Sequence, residues 1–380
     1  MRSSREVDSR VWRVVGDPLI AAASHGPLDG ATVAVKDVFA VAGYATGGGV
    51  PAYEQSVDVA ADHATAVARL IHAGARVRGI ARTDQFAYSM AGDNPHYGTP
   101  PNAAVPDALP GGSSSGPASA VAHCDADLGL ATDTAGSIRV PASYQGLWGM
   151  RTTHGSVSTD GLLPLAPDFD TVGVLTREPD LLLRATSVLL NSPSNTDIGS
   201  GVATLDDIGE VDLQRLAEAF RTHQAFQAWT VHGDWITAYP GALAGSAAAR
   251  FAVAAGINAA QDARACDELA DITQQLDELL GSDVLALPAA SSHAPRLGAS
   301  GHDVERERSA TVRLTAIASA TGRPAVTFPY RDTSEGPIGH SLVGPRGCDT
   351  ALIGRAVEFA SASPTASRDS FATQGGTPRC

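Results

Sequence analysis

The sequence has almost no lysine. Lys36 is the single lysine among 27 basic residues, and all the others are arginine. Lysine is ordinarily among the commonest residues, so a general preference for arginine accounts for most of this bias. A guanidinium stays charged in proteins, whereas a buried ammonium can lose its proton. Lys36 is therefore a candidate for a position at which the side chain must give up a proton.

Other features are scarce as well, and their absence excludes several classes of protein. The net charge is -14 and no run of five basic residues occurs, which argues against a nucleic-acid partner. No stretch approaches the 18 apolar residues of a membrane span. The four cysteines form no CxxC pair and the histidines form no HExxH motif, so we expect neither a metal site nor another cofactor. The charged N-terminal region does not resemble a signal peptide, which predicts a cytoplasmic protein.

The composition favours an α/β fold. Hydrophobic residues make up 43% of the chain and charged residues only 18%, which indicates a folded protein. The 39 glycines and 23 prolines predict many loops on a scaffold. Residues 31–38 alternate as a strand, and a helix over 62–73 and a strand over 77–81 complete a β-α-β rhythm. The other predicted elements are strands at 127–132, 284–287, 325–328 and 341–343 and a helix at 312–320.

We predict one domain over residues 31–361. It follows an N-terminal extension, residues 1–30, and precedes a polar, disordered tail, residues 362–380. A helical insertion is predicted over about 205–281. Its apolar stripes are Leu213, Leu216 and Phe220 on one helix, and Leu269, Ile272, Leu276 and Leu279 on another.

Two loops that are rich in small residues are candidate functional elements. Residues 93–117 contain six prolines and form too long a connection for a compact domain unless they have a function. This segment ends in GGSSSG at 111–116, and Pro117 suits the first turn of a helix. A second loop, TDTAGS at 132–137, follows the apolar strand predicted at 127–132. The serines Ser113 and Ser137 are 24 positions apart.

These loops, together with VAVKD at 33–37, resemble the motifs of the amidase signature family, whose members hydrolyse carboxamides. The resemblance implies a mixed, twisted central β-sheet covered by helices on both faces. It also implies a catalytic Ser-Ser-Lys triad in which Ser137 is the nucleophile, Ser113 is a bridging serine on a cis peptide and Lys36 is the general base. The segments RTDQFAYSMAGDNPHYGTP and FDTVG are most similar to short amidases that hydrolyse indole-3-acetamide, which implies an arylacetamide or indolylacetamide substrate.

The chemistry of these residues agrees with that assignment. A serine hydroxyl becomes a good nucleophile when a neighbouring base takes its proton, and a neutral lysine can be that base. Burial without a carboxylate partner can lower the pKa of a lysine to about 7 or 8. The backbone N–H groups of Thr134, Ala135 and Gly136, with that of Ser137, can form an oxyanion hole. Ser114 and Asp133 are expected to support the two loops.

Two positions depart from the family pattern. Ala135 stands where the family commonly has the first glycine of a pair, and Ser115-Gly116-Pro117 stands where Gly-Gly-Ser is commoner. A positive φ at Ala135 or Ser115 would be strained. The segment before Lys36 is also shorter than in most members, which bears on dimer contacts.

Three other interpretations stay open at this point. GSSSG at 112–116 also satisfies G-x-S-x-G with Ser114 as the nucleophile, but AVPDALPG before it does not suit the required strand. Its histidine would be His293 or His340. A non-catalytic amidase-like scaffold and the ammonia-generating subunit of an amidotransferase are further alternatives.

The acidic run from Asp262 to Asp283 is interpreted as a solvated helix face. A small amide is the expected partner, and a homodimer is compatible with the sequence.

Overall fold

The structure is a computed structural model that describes residues 7–194 and 196–362. The strands in this part of the chain are β1 (Trp12–Ile20), β2 (Thr32–Lys36), β3 (Arg76–Ala81), β4 (Leu128–Asp133), β5 (Trp148–Arg151), β6 (Thr171–Thr176), β7 (Val202–Ala203), β8 (Val284–Pro288), β9 (Ala325–Thr333) and β10 (Gly336–Val343). The α-helices are α1 (Pro51–Ser56), α2 (Thr65–His72), α3 (Ser115–Ala122), α4 (Arg139–Gln145), α5 (Pro179–Leu189), α6 (Leu213–Ala238), α7 (Gly245–Ala254), α8 (Ala259–Leu280), α9 (Gly301–Thr321) and α10 (Asp349–Ala362).

The strands form one mixed sheet in the order β1-β3-β2-β4-β6-β5-β9-β10-β8-β7. Strand β2 lies between β3 and β4 and is parallel to both. Parallel neighbours end at the same edge of a sheet, and loops that follow their carboxyl ends form the usual site in α/β proteins. Lys36 at the end of β2 and Asp133 at the end of β4 therefore meet at one edge.

Both faces of the sheet are covered, as the predicted fold class requires. Alternate residues of a strand point to opposite faces. In β8, Val284 packs in the apolar cluster that includes residues of α2, α5 and α10, whereas Leu285 packs in the cluster that includes α6 to α9. The α/β fold with helices on both faces of a mixed sheet is thus confirmed.

Most predicted elements are present, with two instructive differences. Helix α9 begins at Gly301, well before the predicted start at 312, because its first turns are polar and show no apolar spacing. Ser300 caps it by accepting a hydrogen bond from the Asp303 N–H at 3.1 Å. In α8 the prediction that Leu279 faces the core is wrong: Leu279 is 47% exposed and Leu280 is buried instead.

The N-terminal region joins the sheet. Within the range 1–30 that was predicted as an extension, Trp12–Ile20 form β1, which pairs antiparallel with β3 and buries Trp12. The predicted disordered tail, 362–380, lies outside the described residues except for Ala362, where α10 ends. No helix in the described ranges has the length and apolar character to cross a bilayer.

Helices α6 to α8 occupy the segment predicted as a helical insertion. Asp212 caps α6, and Asn258 and Gln261 form a capping box at the start of α8. Helix α6 packs against α7, α8 and α9. Its residue Gln224 lines a narrow cavity beside Ser137. The helical segment is therefore a wall of the candidate site.

Candidate active site

Lys36 lies at the centre of the candidate site. Its side chain is fully buried, and Nζ donates hydrogen bonds to Ser113 Oγ and to Thr132 Oγ1, each at 2.8 Å. Burial lowers its pKa from 10.5 to about 7, although Asp84, Asp170 and Asp133 act in the opposite direction. That change corresponds to roughly 5 kcal/mol against the charged form. A large fraction of Lys36 is therefore neutral at neutral pH.

The neighbouring carboxylates do not form an ion pair with Lys36. Asp37, the next residue on the chain, faces away and pairs with Arg13 at 3.0 Å. Burial raises the pKa of Asp84 to about 7, so its charge is itself only partly developed at neutral pH. Asp84 also accepts a hydrogen bond from the Gly92 N–H at 3.0 Å. Lys36 and Asp37, although adjacent in the chain, thus make no local ion pair.

The first small-residue loop carries Ser113 on a cis peptide with Gly112. The Thr83 hydroxyl donates to the Ser113 carbonyl oxygen at 2.9 Å. Ser114 Oγ donates to the Thr132 carbonyl oxygen at 3.2 Å, which ties this loop to the end of β4. A Cβ on Gly112 would clash with the Asp84 carboxylate and lie 2.7 Å from the Gly92 backbone nitrogen, so the close approach requires glycine there.

The second loop is organised around the buried carboxylate of Asp133. It accepts hydrogen bonds from the backbone N–H groups of Gly136 and Ile138 at 2.9 and 3.1 Å. It also pairs with Arg139 at 2.8 Å and with Arg151 at 3.3 Å. Burial alone would raise the pKa of Asp133, but the two guanidinium groups outweigh it and hold that pKa well below its usual range. Asp133 thus fixes the backbone that carries Ser137.

The predicted oxyanion donors differ in their availability. The Gly136 N–H is engaged by Asp133, whereas in the described part of the chain the N–H groups of Thr134, Ala135 and Ser137 have no protein acceptor. The Thr134 hydroxyl donates to Asp170 at 2.6 Å, which holds this part of the loop in place. Three backbone N–H groups are therefore available to bind an oxyanion. The Gly136 N–H, which was also predicted as a donor, could bind an oxyanion only if its hydrogen bond to Asp133 were broken.

The two departures from the family pattern cause no backbone strain. The described residues with positive φ include Gly136, at 124°, but neither Ala135 nor Ser115. Ser115 is the first residue of α3, where its φ is helical. A side chain is thus accommodated at both positions. The positive φ that favours glycine occurs at Gly136, where the sequence has glycine.

Breaking the Asp133 pairs is expected to destabilise the protein. Asp133→Asn leaves two buried guanidinium groups without their carboxylate, which typically costs about 3–5 kcal/mol. Asp180→Asn is the matched control, because Asp180 forms a surface pair with Arg184 and its side chain is 79% exposed. Such pairs contribute about 0.5 kcal/mol or less. Denaturant unfolding of both variants measures the difference, and equally small losses would contradict the assigned role of Asp133.

A cavity adjoins Ser137. Ser137 is 3% exposed and lines a narrow space together with Ala135 and Thr134. That space shares Ser89, Met90 and Arg308 with a cavity of about 310 Å³. The larger cavity has mainly apolar walls, which include Leu109, Val140 and Tyr144. Its volume lies at the lower end of the range for small-molecule sites.

The structure also places residues that were candidates for other roles. Ser114, the nucleophile of the G-x-S-x-G alternative, is buried and bonded to the Thr132 carbonyl, and no strand directly precedes it. His293 contacts Thr333 and His340 stacks on Tyr330. Neither arrangement provides a histidine base for Ser114.

Thr132 is the site residue that sequence reasoning missed. Its hydroxyl accepts a hydrogen bond from Lys36 across the β2–β4 boundary. The available signal was its place in β4 directly before Asp133, at the edge where β2 also ends. A neutral amine that donates to Thr132 can turn its lone pair toward the Ser113 hydroxyl.

The fold and the loops around Lys36 are those of an enzyme that hydrolyses amides. The family model described as Amidase matches residues 17–198. Amidase 1 of Arabidopsis thaliana is 31% identical over 93% of this chain and 98% of its own length. The 2-amino-5-chloromuconic acid deaminase of Comamonas testosteroni is 32% identical over 87% of this chain and 81% of its own length.

Structural comparison agrees with the sequence matches. A solved structure described as a crystal structure of an amidase has a TM-score of 0.80 at 26% identity, covering 89% of this chain and 86% of that chain. This chain belongs to the amidase signature family. It is an amidohydrolase.

Proposed function

We propose that the protein hydrolyses a small carboxamide through an acyl-enzyme on Ser137, with Ser113 and Lys36 as the proton relay. The observation that carries this proposal is the buried Lys36 amine, 2.8 Å from Ser113 Oγ and with a pKa lowered to about 7. Arginine cannot take this role, since it does not deprotonate in proteins. A surface lysine would not have the lowered pKa.

The proposed reaction has two half-reactions. Neutral Lys36 takes the proton of Ser113, Ser113 takes that of Ser137, and Ser137 Oγ attacks the amide carbon. The resulting oxyanion is bound by the free backbone N–H groups of Thr134, Ala135 and Ser137. The proton returns along the same path to the leaving nitrogen, the C–N bond breaks and ammonia departs. Water then adds to the acyl-enzyme and releases the carboxylic acid, with the relay again accepting and returning the proton.

We propose an arylacetamide, with indole-3-acetamide as the type substrate. The cavity beside Ser137 supports this class through its apolar walls and its volume of about 310 Å³. Its two arginines both pair with Glu305: Arg308 at 3.0 Å and Arg250 at 3.4 Å. Glu305 balances only one of the two guanidinium charges, but Asp93 and Glu307 also line the cavity, so its net charge is not positive. This balance favours a neutral acyl group over one that carries a carboxylate.

A panel of amides tests the substrate proposal. Indole-3-acetamide and phenylacetamide are expected to have a kcat/KM at least about tenfold above that of acetamide, since an apolar pocket discriminates by burying the aryl group. Ammonia release measured at equal enzyme concentration compares these substrates with malonamate and urea derivatives. Preference for malonamate would show that the arginines bind a substrate carboxylate, and preference for a urea derivative would likewise contradict the arylacetamide proposal.

A further inference from the structure

A second group of polar side chains lies outside the triad, between α6 and α8. His223 on α6 is about nine-tenths buried, and its Nδ1 atom faces two residues of α8. Asp262 Oδ1 lies 2.7 Å from Nδ1 and Cys266 Sγ lies 3.4 Å from it. The three potential ligand atoms all lie within 4.8 Å of one another. This group, His223, Asp262 and Cys266, is called the α6–α8 cluster below.

We propose that the α6–α8 cluster binds one Zn²⁺ ion through His223 Nδ1, a carboxylate oxygen of Asp262 and Cys266 Sγ. A nitrogen, an oxygen and a sulfur ligand form a set that suits zinc. Asp262 and Cys266 are four residues apart on one helix and therefore present their side chains on the same face. A water molecule can supply the fourth ligand.

The distances are close to those of a tetrahedral site. With usual Zn–N and Zn–S bond lengths, Nδ1 and Sγ are about 3.5 Å apart in a tetrahedron. The observed separation between Cys266 and His223 is 3.4 Å. The Nδ1–oxygen separation must widen from 2.7 Å to about 3.4 Å. Asp262 lies in the first turn of α8, and rotation about its side-chain bonds changes this separation.

The other ring nitrogen of His223 has the partner that metal-bound histidines usually have. Its Nε2 lies 2.9 Å from a carboxylate oxygen of Asp168. A histidine ligand commonly donates its second N–H to a carboxylate, which fixes the ring orientation and leaves the opposite lone pair free for the metal. Gln227 also helps to hold this arrangement, since its side-chain oxygen accepts from the Asp168 N–H at 3.1 Å. Asp168 is therefore a positioning residue for the proposed ion.

The location indicates a structural role for the ion. It would link α6 to α8 and, through Asp168, to the loop that contains Asp170. Asp170 accepts the Thr134 hydroxyl hydrogen bond next to Ser137, and Gln224, adjacent to His223, lines the narrow cavity. Zn²⁺ is thus expected to stabilise the packing of α6 beside the active-site cavity, without contact to the reacting atoms.

The interpretation of residues 262–283 as a solvated acidic face is wrong for Asp262. This side chain is only 14% exposed and packs against His223. His223 and Asp262 are 39 positions apart, and only the packing of α6 on α8 brings them together. A search for short ligand motifs cannot detect such a pair.

Zinc titration of the full-length, tag-free protein tests the proposal. Isothermal titration calorimetry is expected to show one Zn²⁺ per chain, and saturating Zn²⁺ is expected to raise Tm by about 3 °C. His223→Gln and Cys266→Ser should each weaken binding at least tenfold. Asp168→Asn should weaken it by about 10- to 100-fold through loss of orientation. His25→Gln is the matched control, because His25 and Asp29 form an exposed pair at 2.9 Å and should not affect binding.

Cobalt(II) provides a second measurement, whose positive result comes from the wild-type protein and does not require a stable variant. The wild-type protein with one equivalent of Co²⁺ is expected to show a thiolate-to-cobalt charge-transfer band, and Cys266→Ser is expected to lose it. Absence of stoichiometric Zn²⁺ binding would overturn the proposal and leave the cluster as a histidine held between two aspartates. Unchanged affinity in His223→Gln and Cys266→Ser would equally overturn it.

Discussion

Lys36→Arg is expected to lower kcat/KM for amide hydrolysis by about 10³-fold, within the range that general base catalysis contributes. The substitution keeps hydrogen-bond donors near Ser113 and Thr132 and makes the positive charge permanent. It removes the one property that the mechanism needs, which is a neutral form with a lone pair at neutral pH. Lys36→Met, which removes the amine and keeps the apolar stem, should lose a similar amount.

The comparison of these two variants separates charge from basicity. Circular dichroism and Tm establish that each variant is folded before its activity is measured by ammonia release. If charge near the serines were what matters, Lys36→Arg would keep most of the wild-type rate and only Lys36→Met would lose it. A Lys36→Arg protein with near wild-type kcat/KM at neutral pH would contradict the proposed base.

Ser137→Ala is expected to abolish acyl-enzyme formation and to lower kcat by about 10⁴-fold or more, as loss of a catalytic nucleophile does elsewhere. The backbone N–H groups of its loop stay in place, because Asp133 rather than the Ser137 side chain holds that loop. Substrate binding should therefore change little, and the loss should appear in kcat rather than KM. Steady-state kinetics with the best amide of the panel measures this separation.

Ser114→Ala is the control for Ser137→Ala. Its hydroxyl donates one hydrogen bond to the Thr132 carbonyl, so its removal is expected to cost about tenfold or less. Mass spectrometry after treatment with a fluorophosphonate should place the label on the peptide that contains Ser137. A label on Ser114, or persistent turnover by Ser137→Ala, would assign the nucleophile elsewhere.

Local patterns were sufficient to predict the central part of the fold and the identity of the lysine. Alternation over 31–38 predicted β2, and the pattern over 62–73 predicted α2, because both signals lie within a few residues. The small residues around Ser113 and Ser137, and the 24 positions between these serines, identified the two loops. Lys36 was identified because it is the only lysine in a chain whose other basic residues are all arginine.

Longer-range packing could not be predicted from the same patterns. The hydroxyl of Thr132 contacts Lys36 only because β2 and β4 are neighbours in the sheet. The sequence of neither strand predicts which strands will be its neighbours. The engagement of the Gly136 N–H by Asp133 depends on how the loop turns after β4. Leu280 is buried where Leu279 was predicted to be. An apolar stripe identifies the buried face of a helix, but the helices packed against it determine which residues at the edge of that face are covered.

The pKa of Lys36 in solution tests the central claim most directly. Because the chain has a single lysine, protein grown with ¹³Cε-lysine and free of a lysine-containing tag gives one side-chain NMR signal, whose chemical shift follows the protonation of Nζ. The buried environment predicts a titration midpoint of about 7. A signal that stays that of a charged ammonium up to about pH 9, close to the behaviour of an ordinary lysine, would contradict the role of Lys36 as the general base.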